Sequence, residues 1–336
     1  MNHDHPAATK RITSYDLARH LGVSQSVVSR CFRPNTRVSP EMRDRVLKAA
    51  AELGYAPNAI ARSLITRRSG MLGLVLTEQT GINVPELMIT LARDFAARDL
   101  RIVPFVLDDE SDRREIFRDV LGSQIEGVVS ATTLSDREVE LFEARRIPVV
   151  YYNRQVQGGC ATAVTCDQGT AMTQLVRHLL ARGYRSAAFF GGPRDSPVMR
   201  DRRDTALAAL EGAGLTPKAD VHGGFNVASG RAHMNALAAA GPLPELVICA
   251  NDALAIGAMD AARSDCRLNV PGNVAISGFD GLSSAAWASY DLTTMRQPVP
   301  EMLDAVVNLM IRSLADPSRM PKPIEFQAKL VSGSST

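Results

Sequence analysis

The chain has 336 residues, 45% of them hydrophobic and 22% charged, the proportions of an ordinary globular protein. That length predicts two or three domains, and the composition excludes a disordered or fibrous chain. The net charge of +2 conceals an asymmetry: residues 1–68 hold 12 Lys/Arg against 5 Asp/Glu, and the remainder 26 against 31. A basic head on a mildly acidic body predicts a polyanion-binding module joined to a second function.

Residues 1–10 read as a disordered tail, and the head runs over 11–56. Thr13 with Asp16 three positions on has capping-box spacing, Leu17 and Leu21 share a face, and Gly22 ends that helix. Ser24 is placed to cap a second helix, Gln25 to Cys31, which packs through Val27 and Val28. A third helix starts at Ser39-Pro40, carries Met42, Val46, Ala50 and Leu53 at three-to-four spacing, and closes at Gly54. Two helices joined by a tight turn form a helix-turn-helix, whose second helix enters the major groove by its N-terminal residues. Gln25, Ser26, Ser29 and Arg30 lie on its exposed face. Gln pairs with adenine, Arg with guanine, and Ser with bases or phosphate.

The stretch Ile12 to Leu64 resembles the N-terminal module of the LacI/GalR transcription regulators, through DLARHLGVS, the VSR ending of the second helix and ELGYAPNAIARSL. The resemblance implies sequence-specific binding of double-stranded operator DNA by a homodimer. Thr13, Ser24, Arg33 and Arg37 join the four residues above as expected DNA contacts. It also implies a hinge over residues 57–69, in which a short helix from Ala59 to Leu64 folds against its dimer mate on DNA. There Asn58 sits at the helix start, small Ala61 allows close approach, and Leu64 wedges into the minor groove. Such a helix is too short to persist alone in water.

From Gly70 the pattern alternates strands and helices. Strand-like runs fall at Leu72–Leu76, Ile102–Leu107, Gly127–Ser130, Pro148–Tyr152, Ala163–Cys166, Ala187–Phe190, Leu246–Cys249 and Val274–Ser277. Helical stretches include Pro85–Arg98, Thr170–Arg182, Val198–Ala213, Ser229–Ala240, Asp252–Arg263 and Val299–Leu314. Repeated βα units predict parallel sheets covered by helices on both faces. Residues 70–336 are long for one such sheet, so two α/β subdomains are expected. Their ligand would bind outside the carboxyl ends of the strands. The expected whole is an all-α helix-turn-helix head on an α/β body with parallel sheets.

This body also resembles the family's effector domain, which is like the periplasmic sugar-binding proteins, through HLLARGY, ANDALAIGAM, VPGNVAISGFDG and LTTMRQP. The resemblance implies three crossings between subdomains, near 160, 285 and 325, and a cleft for a small polar effector such as a sugar or sugar acid. Asn251 and Asp280 each follow a strand and offer an amide and a carboxylate. Arg202 matches the arginine on the helix after AAFFGG, and Phe225 the family's pocket aromatic. Thr77 and Glu78 end the first strand, and Asn153 and Arg154 the fourth. The chain departs from the family pattern at Thr205-Ala206 and Asn83-Val84, and the extra Arg194 and Arg200 point toward a carboxylate ligand.

An enzyme is the competing class, as is a cytoplasmic small-molecule binder with a basic head. No GxGxxG, P-loop, HExxH or GxSxG occurs, and no cofactor or metal is implied. No uncharged run approaches the about 18 apolar residues of a membrane span, and Met1 to Lys10 holds no apolar signal segment. Five cysteines without a CxxC pair suit reduced thiols. A cytoplasmic transcription regulator, not an enzyme, is the expectation.

Overall fold

A computed structural model of the chain describes residues 12–32, 36–55, 69–77, 84–107, 110–156 and 160–336. Two compact units meet at Ser69 and Gly70. The first holds three helices, α1 (Ser14–Leu21), α2 (Gln25–Cys31) and α3 (Pro40–Leu53). Thr13 and Asp16 form the reciprocal capping box, and Gly22 and Gly54 close α1 and α3 at φ of 67° and 64°. That left-handed conformation carries no Cβ penalty in glycine. Leu17, Ala18, Val28, Cys31, Val46, Ala49 and Ala50 form the core of this unit. Ser24 corrects an expectation: its hydroxyl makes no cap bond to α2 and lies 2.9 Å from the Ser26 hydroxyl instead.

The second unit contains two parallel sheets. The six-stranded one has the order β11-β5-β4-β3-β1-β2. Its strands are β1 (Met71–Thr77), β2 (Arg101–Leu107), β3 (Gly127–Ser130), β4 (Val149–Tyr152), β5 (Ala161–Cys166) and β11 (Ile324–Phe326). Period-two alternation sends Leu72, Leu74, Val129, Val150 and Val164 to one face. Val75, Val128, Val149, Tyr151 and Ala163 go to the other. The first face is covered by α4 (Val84–Ala96), through Leu87, Leu91 and Phe95, and by α11 (Val299–Ala315). The second is covered by α5 (Glu110–Gly122) and α6 (Asp136–Glu143), through Phe117, Val120, Val139 and Phe142. Neither α5 nor α6 is anticipated above, since each buries a narrow apolar stripe behind many charged positions.

The four-stranded sheet has the order β7-β6-β8-β9, from β6 (Ala187–Gly191), β7 (Asp220–His222), β8 (Leu246–Cys249) and β9 (Ala275–Ser277). Around it lie α7 (Gln168–Ala181), α8 (Pro197–Glu211), α9 (Val227–Ala239) and α10 (Asp252–Asp260), the last running into a π turn, Ala261–Asp265. An antiparallel pair, β10 (Thr294–Arg296) with β12 (Lys329–Val331), completes the body. The eight expected strands form in place. The three-residue strands β7, β10, β11 and β12 are not anticipated, because three residues give too little periodicity to read.

The chain passes between the two halves of the body three times: after β5 into α7, between β10 and α11, and between β11 and β12. The crossings therefore fall near 167 and 297, not near 160 and 285, while the third falls near 327, as expected for 325. The first two expected positions preceded the real ones because strand β5 and strand β10 each stay with their own sheet before the chain leaves it.

Candidate functional site

On the head, α2 buries Val28 and Cys31 and turns Ser26 and Arg30 to solvent, with Gln25 and Ser29 half-buried beside them. The Gln25 side-chain amide donates to the Ser14 hydroxyl at 3.3 Å, and the Arg30 Nε to the Ser26 carbonyl at 3.2 Å. The first ties α2 to the start of α1, and the second lays Arg30 along its own helix. Arg37 is exposed. Thr13 spends its hydroxyl on Asp16 at 2.6 Å, a capping duty. Tyr15, 68% exposed, is an aromatic that spacing alone did not single out. Arg33, Asn58, Ala61 and Leu64 lie outside the described residues, as does Glu78 on the body.

In the body, Asn251, Asp280 and Phe225 follow β8, β9 and β7 at the carboxyl side of the four-stranded sheet, where a crevice forms. The Phe225 ring lies against Gly192, so close that a Cβ there would sit 2.4 Å from it. Asn251 caps α10, its Oδ1 accepting from the Leu254 amide at 2.9 Å. Asp280 holds φ at 118°, a strained conformation for a non-glycine residue. Across the crevice, Thr77 ends β1, and Asn153 with Arg154 follows β4.

Five side chains close a hydrogen-bonded ring between the subdomains. Asn153 Nδ2 donates to Gln297 Oε1 at 2.9 Å, and Gln297 Nε2 donates to Asp280 Oδ1 at 2.8 Å. Arg202 Nη2 donates to the same Asp280 oxygen at 2.8 Å, and Arg202 Nε to Gln168 Oε1 at 2.8 Å. Gln168 Nε2 returns to Asn153 Oδ1 at 3.2 Å. Gln168 and Gln297 sit on the first two crossings. On the third, Gln327 Nε2 donates to Asp167 Oδ2 at 3.3 Å, while Asp167 Oδ1 caps α7 through the Thr170 amide.

Within this ring Arg202 and Asn153 already have partners. Arg202 is 3% exposed, its Nη1 donates to the Ala250 carbonyl at 2.6 Å, and its guanidinium lies 3.9 Å over the Phe279 ring. Asn153 has both amide atoms bonded. Among the described residues no hydrogen bond reaches Oδ2 of Asp280, and the Arg154 guanidinium donates only from Nη1, to the Asn153 carbonyl at 2.7 Å. Burial, and then the neighbouring Arg202 charge, pull the Arg154 pKa down to about 10. Beside Arg154 lies a cavity of about 420 Å³, lined also by Asn153, Gln168, Pro197, Val198 and Asp201. Its volume is in the range of small-molecule sites.

Comparison with known proteins agrees with this division. The model for bacterial regulatory proteins of the lacI family matches residues 13–58, and that for a periplasmic binding protein-like domain matches 176–336. The chain is 30% identical over 327 residues to the HTH-type transcriptional regulator AscG of Escherichia coli (strain K12), covering 95% of this chain and 96% of that protein. The chain belongs to the lacI family of bacterial regulatory proteins. It is 28% identical to the ribose operon repressor of Bacillus subtilis (strain 168), covering 89% of this chain and 90% of that one. In fold it matches the Lac repressor bound to ONPG in its repressed state, with a TM-score of 0.86 and 22% identity over 97% of this chain and 100% of that chain. It is also similar to a lacI-family regulatory protein from Chloroflexus aggregans, with a TM-score of 0.68 and 26% identity over 80% of this chain and 99% of that one.

As a lacI-family member the chain is a DNA-binding transcription regulator, and the relatives named here are regulators. Among the described residues no helix is long and apolar enough to cross a membrane. Sequence reasoning missed Gln168, Gln297 and Gln327. A lone glutamine has no spacing signature. Only Gln297, which lies within the LTTMRQP motif, carried a signal that could have flagged it.

Proposed function

We propose that this lacI-family regulator is a cytoplasmic homodimeric repressor whose operator affinity is set by a small polar effector in the crevice between its subdomains. Two heads of a dimer read the half-sites of a near-palindrome with Ser26, Arg30 and Gln25, while Ser24, Ser29 and Arg37 approach the backbone. Leu64 is proposed as the minor-groove wedge and Ala61 as the point of close approach between paired hinge segments.

The observation that carries the effector reading is the five-membered ring. It joins Asn153 of one subdomain to Arg202 and Asp280 of the other through two crossing residues. A ligand that takes the free Asp280 oxygen, or displaces Gln297 from it, changes how the two halves are held. The effector shifts operator affinity only by its differential affinity for the two arrangements. Arg154, Asn251, Phe225 and Thr77 complete the proposed lining.

The test is selection of bound sequences from a random DNA pool by the full chain, followed by gel shift with the selected site. A palindromic consensus bound by a dimer supports the reading; sequence-independent binding refutes it. Leu64→Ala should lower operator bending in a circular-permutation assay, and unaltered bending would remove the wedge.

A further inference from the structure

We propose that the effector carries a negatively charged group, a carboxylate or phosphate on a polyhydroxylated small molecule, received by Arg154 in the inter-subdomain crevice. The inference rests on the reading of that crevice as the effector site.

Two arginines and one carboxylate meet there. Arg202 is neutralised by Asp280 at 2.8 Å and has Gln168 and the Ala250 carbonyl as further acceptors. Among the described residues Arg154 has no such partner. Its one hydrogen bond runs from Nη1 to the Asn153 carbonyl at 2.7 Å, and among the described residues no carboxylate lies within 4.0 Å of it. The nearest charges that act on it are Arg202, which repels it, and Asp280, already shared by Arg202 and Gln297. Among the described residues the crevice thus holds one guanidinium charge in excess.

Arg154 is half-buried, so its charge is partly desolvated without a counterion, and hydroxyls alone leave that cost standing. A sugar hydroxyl accepts a hydrogen bond but brings no charge. A carboxylate or phosphate brings both, in a geometry that matches the planar guanidinium fork.

The acids around the cavity beside Arg154, which Asp280 does not line, do not supply the missing charge. Asp204 pairs with Arg203 at 2.8 Å, and Asp167 accepts from the Thr170 amide and from Gln327. Asp201 and Glu325 are exposed on the rim, where solvent screens them. An acidic rim around a half-buried cation favours a ligand with one compact charge over a polyanion. Arg194 and Arg200 are exposed and do not line the cavity, so the extra arginines noted in the sequence are not the ones that matter.

The experiment titrates the full chain with glucose, gluconate, glucuronate, glucose 6-phosphate and inorganic phosphate at matched ionic strength. It reads melting temperature and calorimetric affinity for wild type, Arg154→Gln, Arg154→Lys and Asp280→Asn. The expected result is binding of an anion and not of glucose, weakened about tenfold or more by Arg154→Gln and partly restored by Arg154→Lys. Response to gluconate or glucuronate marks a carboxylate ligand; response to the two phosphates marks a phosphate. Glucose binding as tightly as its anionic counterparts, or no anion raising the melting temperature, overturns the inference. An anion weakened by Asp280→Asn but not by Arg154→Gln overturns it and leaves the crevice as the effector site. An anion indifferent to both substitutions binds elsewhere and takes the effector-site reading down with it.

Discussion

Asp252 is fully buried, and the fold pushes its carboxyl from 3.8 up to about 7, through burial first and the charge of Asp280 second. Its two oxygens accept from the Thr294 hydroxyl at 2.6 Å and the Leu282 amide at 2.7 Å, which lower the pKa without offsetting the desolvation. The native state therefore binds a proton that the unfolded chain has already released between pH 4 and 7. Stability must fall as pH rises through that window, by at most ~1.4 kcal/mol per pH unit from this group, and level off above it. Urea unfolding at several pH values should show that slope, and Asp252→Asn should flatten it; an unchanged slope in the variant refutes the assignment. At the same scale, Arg30 projects from the exposed face of α2. Arg30→Ala should cost ~1–3 kcal/mol of operator affinity and relax the preference at one base pair, measured by gel shift on a panel of single-substituted sites. Uniform weakening across the panel would instead make Arg30 a phosphate contact.

Helices α9 and α10 touch through glycine. A Cβ on Gly230 would lie 2.0 Å from the Leu254 carbonyl oxygen, and one on Gly257 2.0 Å from the Val227 carbonyl oxygen. Backbone cannot yield as a side chain can, so even the smallest substitution separates the helices. Gly257→Ala should destabilise the body by ~1–3 kcal/mol or more, against the gain in helix propensity that alanine brings elsewhere. Chemical unfolding followed by circular dichroism checks it, and a neutral or stabilising outcome would show that the helices do not pack this closely. The head's elements are set by different means. Ser39 caps α3 through the Met42 amide, with Pro40 at its first position, and Gly54 ends it. Those signals act within one turn and need no partner from elsewhere in the chain.

At the scale of the whole body, the three crossings carry Gln168, Gln297 and Gln327, each hydrogen-bonded across the junction it occupies. Amides suit this position because they donate and accept at once, so the ring can close without adding charge. Gln297→Ala opens the ring and leaves the Arg202–Asp280 pair in place. The effector's shift of operator affinity should then shrink by about fivefold or more, the scale of a typical coupling free energy. Gel shifts with and without effector measure that ratio. An unchanged ratio would make the ring structural rather than a coupling element.

Much of this protein was determined by the sequence itself. The caps at Thr13, Gly22, Ser39 and Gly54, and the apolar runs of eight strands, depend on contacts within a few residues, so local chemistry fixes them. The strand ends likewise place Asn251, Asp280 and Asn153 at the carboxyl edges of the sheets, because a parallel sheet puts the residues that follow its strands at one edge. What each does there was decided only by the tertiary structure. Asn153 and Gln297 are 144 residues apart, and Arg202 and Asp280 are 78 apart, so no spacing joins them. Arg202 and Arg154 are the same residue type at the same crevice, and local sequence does not distinguish them. Three acceptors surround the first and a single backbone carbonyl meets the second. The folded chain thereby pairs one charge internally and, among the described residues, leaves the other without a carboxylate, since the free energy of a desolvated charge depends on what the fold brings within reach of it.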